Sequence, residues 1–417
     1  MQDFEHSQRF RMARLTVASY CTTFLKPEML HIYRQVTSLR RTHTFVMTKR
    51  IEHPRRFPFD DIELIPRPHR NLLRHGWMKF VERRPPLIYR GEYQMLVSIL
   101  ALRGADMMHI YFGHTGVHLL PFIKEWNRPC LVSFHGADVA IKQDVENYVK
   151  KLRVLFDSVA VVLARSQSLA DRLIKFGCAP EKIRINRTGI PLHQFSPVPR
   201  EFPTDGHWRI LQACRLIEKK GVGSAIRAFA IFAREFPQAE FIIAGKGPLQ
   251  PELQALAQKL GVARKVHFCG FLSQSDLRHL YGRAHIFIHP SETPPDENQE
   301  GVPNSILEAM ATGLPIIATR HGGIPEAVTE NLNGFLSDER DIKSLGRSMV
   351  ALANSPELYA RFSAAARLAV AENFDQEITN RELERIYEEV CDSGVAQESK
   401  RGEVALPAPL IESAVAK

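Results

Sequence analysis

The stretch RILQACRLIEKKGVGSAIRAFAIFAREFPQAEFIIAGKG, Arg209 to Gly247, decides the fold. It opens on an apolar run, RILQACRL (209–216), that reads as a strand. After a glycine turn, GSAIRAFAIFAREF (223–236) repeats its apolar residues at helical spacing, so one face of a helix is apolar. AEFIIAGKG (239–247) is a second strand ending in another glycine turn. Strand, helix and strand in succession make a βαβ unit, whose two strands lie parallel in one sheet.

The alternation continues in both directions. Downstream come a helix over 249–260, a strand KVHFCGF (265–271), a helix around 274–283 and a strand HIFIHP (285–290). A helix after EGVPN, the strand LPIIAT (314–319), the short helical segment IPEAV and the strand NGFLS follow. Upstream, RLTVASY (14–20), HTFVMT (43–48), MMHIYFG (107–113), RPCLVSFHG (128–136) and SVAVVLARS (158–166) read as buried strands. Between the halves, GIPLHQFSPVPREFPTDG (189–206) is proline-rich and without period, which is the signature of a linker. The expected fold class is therefore α/β, with two doubly wound Rossmann-like domains facing a central cleft. The carboxyl ends of both sheets point into such a cleft, and ligands bind there. The expected boundaries are an N-terminal Rossmann-like domain over 1–192 and a C-terminal Rossmann-like domain over 193–375. A helix over 376–393 is expected to pack back on the N-terminal domain, ahead of a disordered tail over 394–417.

Composition narrows the class. Hydrophobic residues make up 44% of the 417 and charged residues 24%, the balance of a globular protein. No apolar run approaches the roughly 20 residues that span a bilayer, and the charged start has no signal-peptide core, so a cytoplasmic location is expected. Six scattered cysteines without CxxC spacing argue against a disulfide framework or a zinc site. The net charge of +9 is uneven: residues 1–195 hold 31 basic against 17 acidic side chains, and residues 196–417 hold 24 against 29. The basic half lacks a nucleic-acid motif, so an anionic membrane surface is the better partner. NLLRHGWMKFVERR (71–84) sets Leu72, Leu73, Trp77, Phe80 and Val81 on one helical face, with basic residues around the other. Such a helix can lie in a lipid interface, or pack its apolar stripe on its own domain.

The chemistry gathers at the ends of the C-terminal strands. EGVPNSILE places Glu300 ahead of a helix and Glu308 in its second turn. Gly301, Val302, Pro303 and Asn304 form the turn and helix N-terminus, whose backbone N–H groups attract an anion. Two carboxylates there suit neutral donors such as sugar hydroxyls. Arg215 and Lys220 lie in the turn between the first strand and its helix, where a guanidinium and an ammonium suit a diphosphate. The turn holding Gly245 and Gly247 lets backbone approach the same ligand. Together these features read as a site for a nucleotide-diphosphate sugar. His285 and His289 share a strand, but no carboxylate or cysteine completes a metal set.

These motifs resemble those of the retaining family four glycosyltransferases, which have the GT-B fold. The matching residues are R-L-x-E-K-K-G at 215–221, the AGKGP turn, E-G-V-P-N-S-I-L-E at 300–308, EAMATGLPIIAT and GGIPEAV at 322–328. In the first half they are SFHGAD at 133–138 and the run from Arg165 to Pro197. The resemblance covers roughly 130 to 375 and is closest to enzymes of colanic-acid and related exopolysaccharide assembly; FGHTGV at 112–117 adds to it. It implies that Glu300 meets the donor sugar, Glu308 the ribose, and the backbone around Gly270 and Phe271 the base. Arg215 and Lys220 would hold the diphosphate, and His135 would lie over the donor sugar. His135, Glu300, Arg215 and Lys220 are thus the expected catalytic residues. The implied reaction is retaining transfer from a UDP- or GDP-linked sugar to a polyprenyl-linked saccharide or growing polysaccharide. No cofactor and no metal are expected. The turn CTTFLKPEML (21–30) departs from the glycine pair that many members carry after the first strand, so Glu28 and His114 are candidate acceptor contacts. Two alternatives stay open: a nucleotide-sugar 2-epimerase of the same architecture, and a binding protein without turnover.

Overall fold

The computed structural model describes residues 14–65, 72–136, 138, 139, 145–295 and 299–401. From the amino end run β1 (Thr16–Tyr20), β2 (Thr23–Phe24), α1 (Leu30–Val36), β3 (His43–Thr48), β4 (Arg50–Ile51), β5 (Ile62–Leu64), α2 (Leu72–Phe80), α3 (Pro86–Tyr89) and α4 (Glu92–Leu102). Then come β6 (Met107–Tyr111), α5 (Gly113–Ile123), β7 (Cys130–Phe134), α6 (Val145–Ser158), β8 (Val161–Ala164), α7 (Gln167–Lys175) and β9 (Ile183–Ile185). The second half holds β10 (Arg209–Ala213), α8 (Val222–Glu235), β11 (Glu240–Ala244), α9 (Gln250–Lys259), β12 (Val266–Gly270), α10 (Gln274–Arg283) and β13 (Ile286–His289). It closes with α11 (Asn304–Ala311), β14 (Ile316–Thr319), β15 (Gly334–Ser337), α12 (Ile342–Ala353), α13 (Pro356–Asn373) and α14 (Gln376–Arg401).

The strands build two main sheets, each parallel throughout. The first has seven strands in the order β5-β3-β1-β6-β7-β8-β9, and the second six in the order β12-β11-β10-β13-β14-β15. Strands such as β6 (MMHIY) and β7 (CLVSF) are buried along their whole length because helices cover both sheet faces, which is why they read as unbroken apolar runs. The strand order reverses between β1 and β6 in one sheet and between β10 and β13 in the other. At each reversal the flanking helices diverge to opposite faces and leave a crevice beyond the carboxyl ends of the strands. Arg215, Lys220 and Glu300 all leave the second sheet at its crevice.

The chain crosses between the halves twice. Ile190 donates its N–H to Phe374 O at 2.8 Å, and Gln376 N donates to Ile190 O at 3.0 Å, so the two crossings are bonded side by side. After the second crossing α14 returns to the first sheet. Its Leu383, Ile386, Tyr387 and Val390 pack on Val17, Met107, Leu131, Val161 and Leu163, and Tyr387 OH meets His109 Nδ1 at 2.6 Å. The helix runs to Arg401, past residue 393, and residues 402–417 lie outside the described residues. IPEAV holds a single 3-10 turn, Ile324–Glu326, and Pro303 takes the N-cap position of α11.

Candidate active site

Glu300 lies at the end of a loop from β13, with its carboxylate 2.8 Å from Lys220 Nζ and 3.3 Å from Lys219 Nζ. All three side chains are nearly buried. Burial alone would raise the Glu300 carboxyl, but the ammonium groups of Lys220 and then Lys219 outweigh it and hold the group far below the usual carboxylate range. Burial lowers Lys219 from the ordinary lysine value, against the pull of Glu300. Backbone contacts fix the carboxylate from behind. Glu300 N donates to His321 Nε2 at 3.1 Å, which leaves the imidazole proton on Nδ1, facing Glu339 Oε1 at 2.7 Å. Gly322, at φ +52, packs against Glu300 O so closely that a Cβ there would lie 2.2 Å from it. This close approach explains the first glycine of GGIPEAV; the second, Gly323, packs against Gly301 and Ser166.

The first half supplies the opposite wall. His135 follows β7, and its ring engages Ser133 Oγ through Nε2 at 3.0 Å and His31 Nε2 through Nδ1 at 3.1 Å. Burial, then the nearby charge of Arg165, pushes the imidazole well below its ordinary value, so it is neutral at pH 7. Asp138 holds the loop, accepting from His135 N and Gly113 N, each at 2.9 Å. The next residue, Gly136 at φ +99, comes so near Gln299 O that a Cβ would be 2.8 Å from it. SFHGAD and the residue ahead of Glu300 therefore touch across the cleft. Phe112, whose ring lies 4.6 Å from that of His135, has a φ of +75, a costly conformation for a bulky residue.

The remaining expected residues separate into three places. Arg215 is exposed at the cleft beside the Lys219–Lys220 turn. The Gly245–Gly247 turn packs on it from below: Leu216 N donates to Lys246 O at 3.0 Å, and Gly245 N to Gly270 O at 2.8 Å. Phe271 stands exposed at the end of β12, with Arg56 of the first half 5.4 Å from its ring centre. Gly301 and Val302 lead to Pro303, Asn304 and α11, whose N-terminus has no side-chain cap. His114 is exposed and stacks on Phe112, and the side chain of Glu28 lies outside the described residues. Among the described residues no group of three His, Cys, Asp or Glu could hold a metal ion. His285 is engaged elsewhere, accepting from Arg209 N at 3.0 Å.

Glu308 is the departure. Rather than facing open solvent in the cleft, it is 4% exposed and both its oxygens have partners. Arg34 Nη1 donates to Oε1 at 2.9 Å and Tyr281 OH to Oε2 at 3.1 Å. Sequence reasoning missed Arg34, Lys219, His321 and Glu326. Glu326 accepts from Gln167 N at 2.6 Å and from Arg187 Nε at 2.8 Å, so GGIPEAV also ties the second half to the first. The doubled lysine at 219–220 and the GGIPEAV motif that holds Glu326 were the sequence signals among these.

Two parallel-sheet halves with a charged crevice at the switch point of the second define the GT-B architecture. The profile described as "Glycosyltransferase Family 4" matches residues 31–194, and "Glycosyl transferases group 1" matches residues 199–369. The amylovoran biosynthesis glycosyltransferase AmsK of Erwinia amylovora is 33% identical over 289 residues, 69% of this chain and 71% of that protein. The putative colanic acid biosynthesis glycosyltransferase WcaL of Escherichia coli K12 is 33% identical over 283 residues, 67% of this chain and 69% of that one. The crystal structure of Anabaena Alr3699/HepE in complex with UDP superposes with a TM-score of 0.72 at 18% identity, covering 90% of this chain and all of that one, a likeness of fold. The chain belongs to glycosyltransferase family 4 and is an enzyme that transfers a sugar.

Proposed function

We propose that the enzyme transfers a hexose, with retention of anomeric configuration, from a nucleotide-diphosphate sugar to a lipid-linked or growing polysaccharide. UDP is the favoured nucleotide, since HepE of the same fold is described with UDP, and GDP is the second choice. AmsK and WcaL are described as biosynthetic glycosyltransferases for amylovoran and colanic acid, which supports a surface polysaccharide as acceptor. The observation that carries the reading is the Glu300–Lys220–Lys219 cluster at the switch point, approached across the cleft by the SFHGAD loop, whose Gly136 lies against Gln299 O.

In this reading Arg215, Lys220 and the start of α11 at Gly301–Asn304 hold the diphosphate, with the Gly245 and Gly247 backbone beneath. Glu300 accepts hydrogen bonds from donor-sugar hydroxyls, Glu308 from the ribose, and Gly270–Phe271 line the base. The C1–O bond breaks with its electron pair passing to the diphosphate, and the acceptor oxygen bonds to C1 from the same face. A diphosphate oxygen takes the acceptor proton, so neutral His135 orients the sugar and transfers no proton. Catalysis then rests on positioning and on charge stabilisation by the cations, with no divalent ion required. His114 is proposed on the acceptor side.

A peripheral place on an anionic membrane surface is part of the proposal. Trp77, Phe80 and Val81 of the α2 segment are 59%, 72% and 57% exposed, with Lys79, Arg83 and Arg84 beside them. That arrangement fits an interfacial helix better than one packed on its own domain. No helix among the described residues is long and apolar enough to cross a membrane. Calorimetric titration with UDP and GDP, with and without magnesium, tests the donor site. Micromolar binding of one nucleotide without metal is expected; if neither binds, the donor reading falls. Nuclear magnetic resonance of the product anomeric proton decides retention.

A further inference from the structure

The carboxylate expected to hold the ribose is already held. Arg34, on α1 of the first half, donates Nη1 to Glu308 Oε1 and Nη2 to Gln274 Oε1 at 3.1 Å, with its guanidinium 5.7 Å from the Phe195 ring centre. The backbone of the same residue is anchored, since Gln376 Nε2 donates to Arg34 O at 2.5 Å. Arg34 and Glu308 are 8% and 5% exposed in their side chains, so the pair is shut away from water. Tyr281 takes the other carboxylate oxygen. A ribose cannot reach Glu308 unless the guanidinium moves. On the base side Arg56, from the same half, sets its guanidinium 5.4 Å from the ring centre of the exposed Phe271.

We infer that Arg34 is a positioning residue of the donor site that occupies Glu308 in the ligand-free enzyme and competes with the nucleoside's ribose hydroxyls for it. The inference rests on the reading of Glu308 as the ribose contact. The logic is one of exchange. An ionised carboxylate taken out of water needs donors, and a fixed guanidinium supplies them when no ligand is present. A ribose diol supplies neutral donors of the same reach, and on its arrival the α1 contact to α10 and α11 opens. Donor loading is thereby coupled to the contact between the two halves, and the apparent nucleotide affinity is reduced by the fraction of molecules in which Arg34 is engaged.

The test is calorimetric titration of the full chain with UDP and GDP. Arg34→Met keeps the length of the side chain and removes its donors. The nucleotide that binds the wild type should bind this variant at least about fivefold tighter, the gain expected when roughly four-fifths of ligand-free molecules have Arg34 engaged. Arg34→Lys, which keeps the charge but loses the fork, should fall between the two. The gain should vanish in a Glu308→Ala background, because the competition needs that carboxylate. Equal or weaker binding by Arg34→Met overturns the inference, and if that variant does not fold, the same outcomes for Arg34→Lys decide it. Wild-type binding by Glu308→Ala alone removes the ribose reading and the inference with it. Lost binding by Glu308→Ala beside unchanged binding by Arg34→Met removes the inference alone.

Discussion

Acid should destabilise both halves well before their carboxylates protonate. His109 in β6 and His289 in β13 are fully buried. Burial pushes each imidazole down to about 3, helped by the positive charge of Arg165 at His109 and of Lys220 at His289. In the unfolded chain each returns to about 6.5. Because the folded state binds fewer protons, the stability these groups contribute is full above pH 6.5 and is lost as the pH falls toward their folded values. Between pH 7.5 and 5 each should cost about 2 kcal/mol, one in each half. Urea unfolding followed by tryptophan fluorescence, to which Trp208, buried in the second half, contributes, and by circular dichroism should show this loss. The window stays above the range in which Glu300 takes up a proton, so that group does not enter. His289→Asn should lessen the loss, leaving the part due to His285, whose imidazole is also pushed down to about 4 by burial. A stability that changes by less than roughly 0.5 kcal/mol over the interval would refute the assignment of these histidines as buried neutral groups.

Three further outcomes test the site and its setting. Lys220→Met should weaken binding of the cognate nucleotide by roughly ten- to a hundredfold, the worth of one charge-assisted hydrogen bond; calorimetry showing a change below twofold would exclude the ammonium from the diphosphate. Glu300→Gln should keep nucleotide binding within about tenfold, since the lysines remain, while product formation in a radiolabelled transfer assay collapses. Trp77→Ala with Lys79→Ala should reduce sedimentation with vesicles containing phosphatidylglycerol, and unchanged binding would count against the interfacial helix.

The fold was legible because a parallel sheet buried on both faces writes its strands as continuous apolar runs. RLTVASY, MMHIYFG and RPCLVSFHG are β1, β6 and β7, and the inner strands β10, β13 and β14 of the second sheet appeared the same way, whereas its edge strand β12 is only half buried. The short strands β2, β4, β5 and β9 left too few residues to show a pattern. The glutamates and the lysine turn were legible because strand ends, glycine turns and a helix start mark positions that face a crevice. What could not be read was the partnership of those residues. Arg34 and Glu308 are 274 positions apart, in different periodic segments, and only the docking of the two halves brings them to 2.9 Å. The same holds for Glu326 with Arg187 and for Gly136 with Gln299. A sequence pattern reports which side of its own element a residue faces, but carries no record of what the other half places opposite.

The return of α14 has a consequence for synthesis. Val17, Met107, Leu131, Val161 and Leu163 lose contact with water only when Leu383, Ile386, Tyr387 and Val390 arrive. The ribosome makes the first sheet hundreds of residues before it makes that helix. At a translation rate of about 5–20 residues per second, one face of the finished sheet stays bare for roughly ten seconds or more. A nascent chain in this condition is a natural client for chaperones that cover apolar surface. A fragment ended at the first crossing would keep that bare face permanently, so the first half is completed by α14.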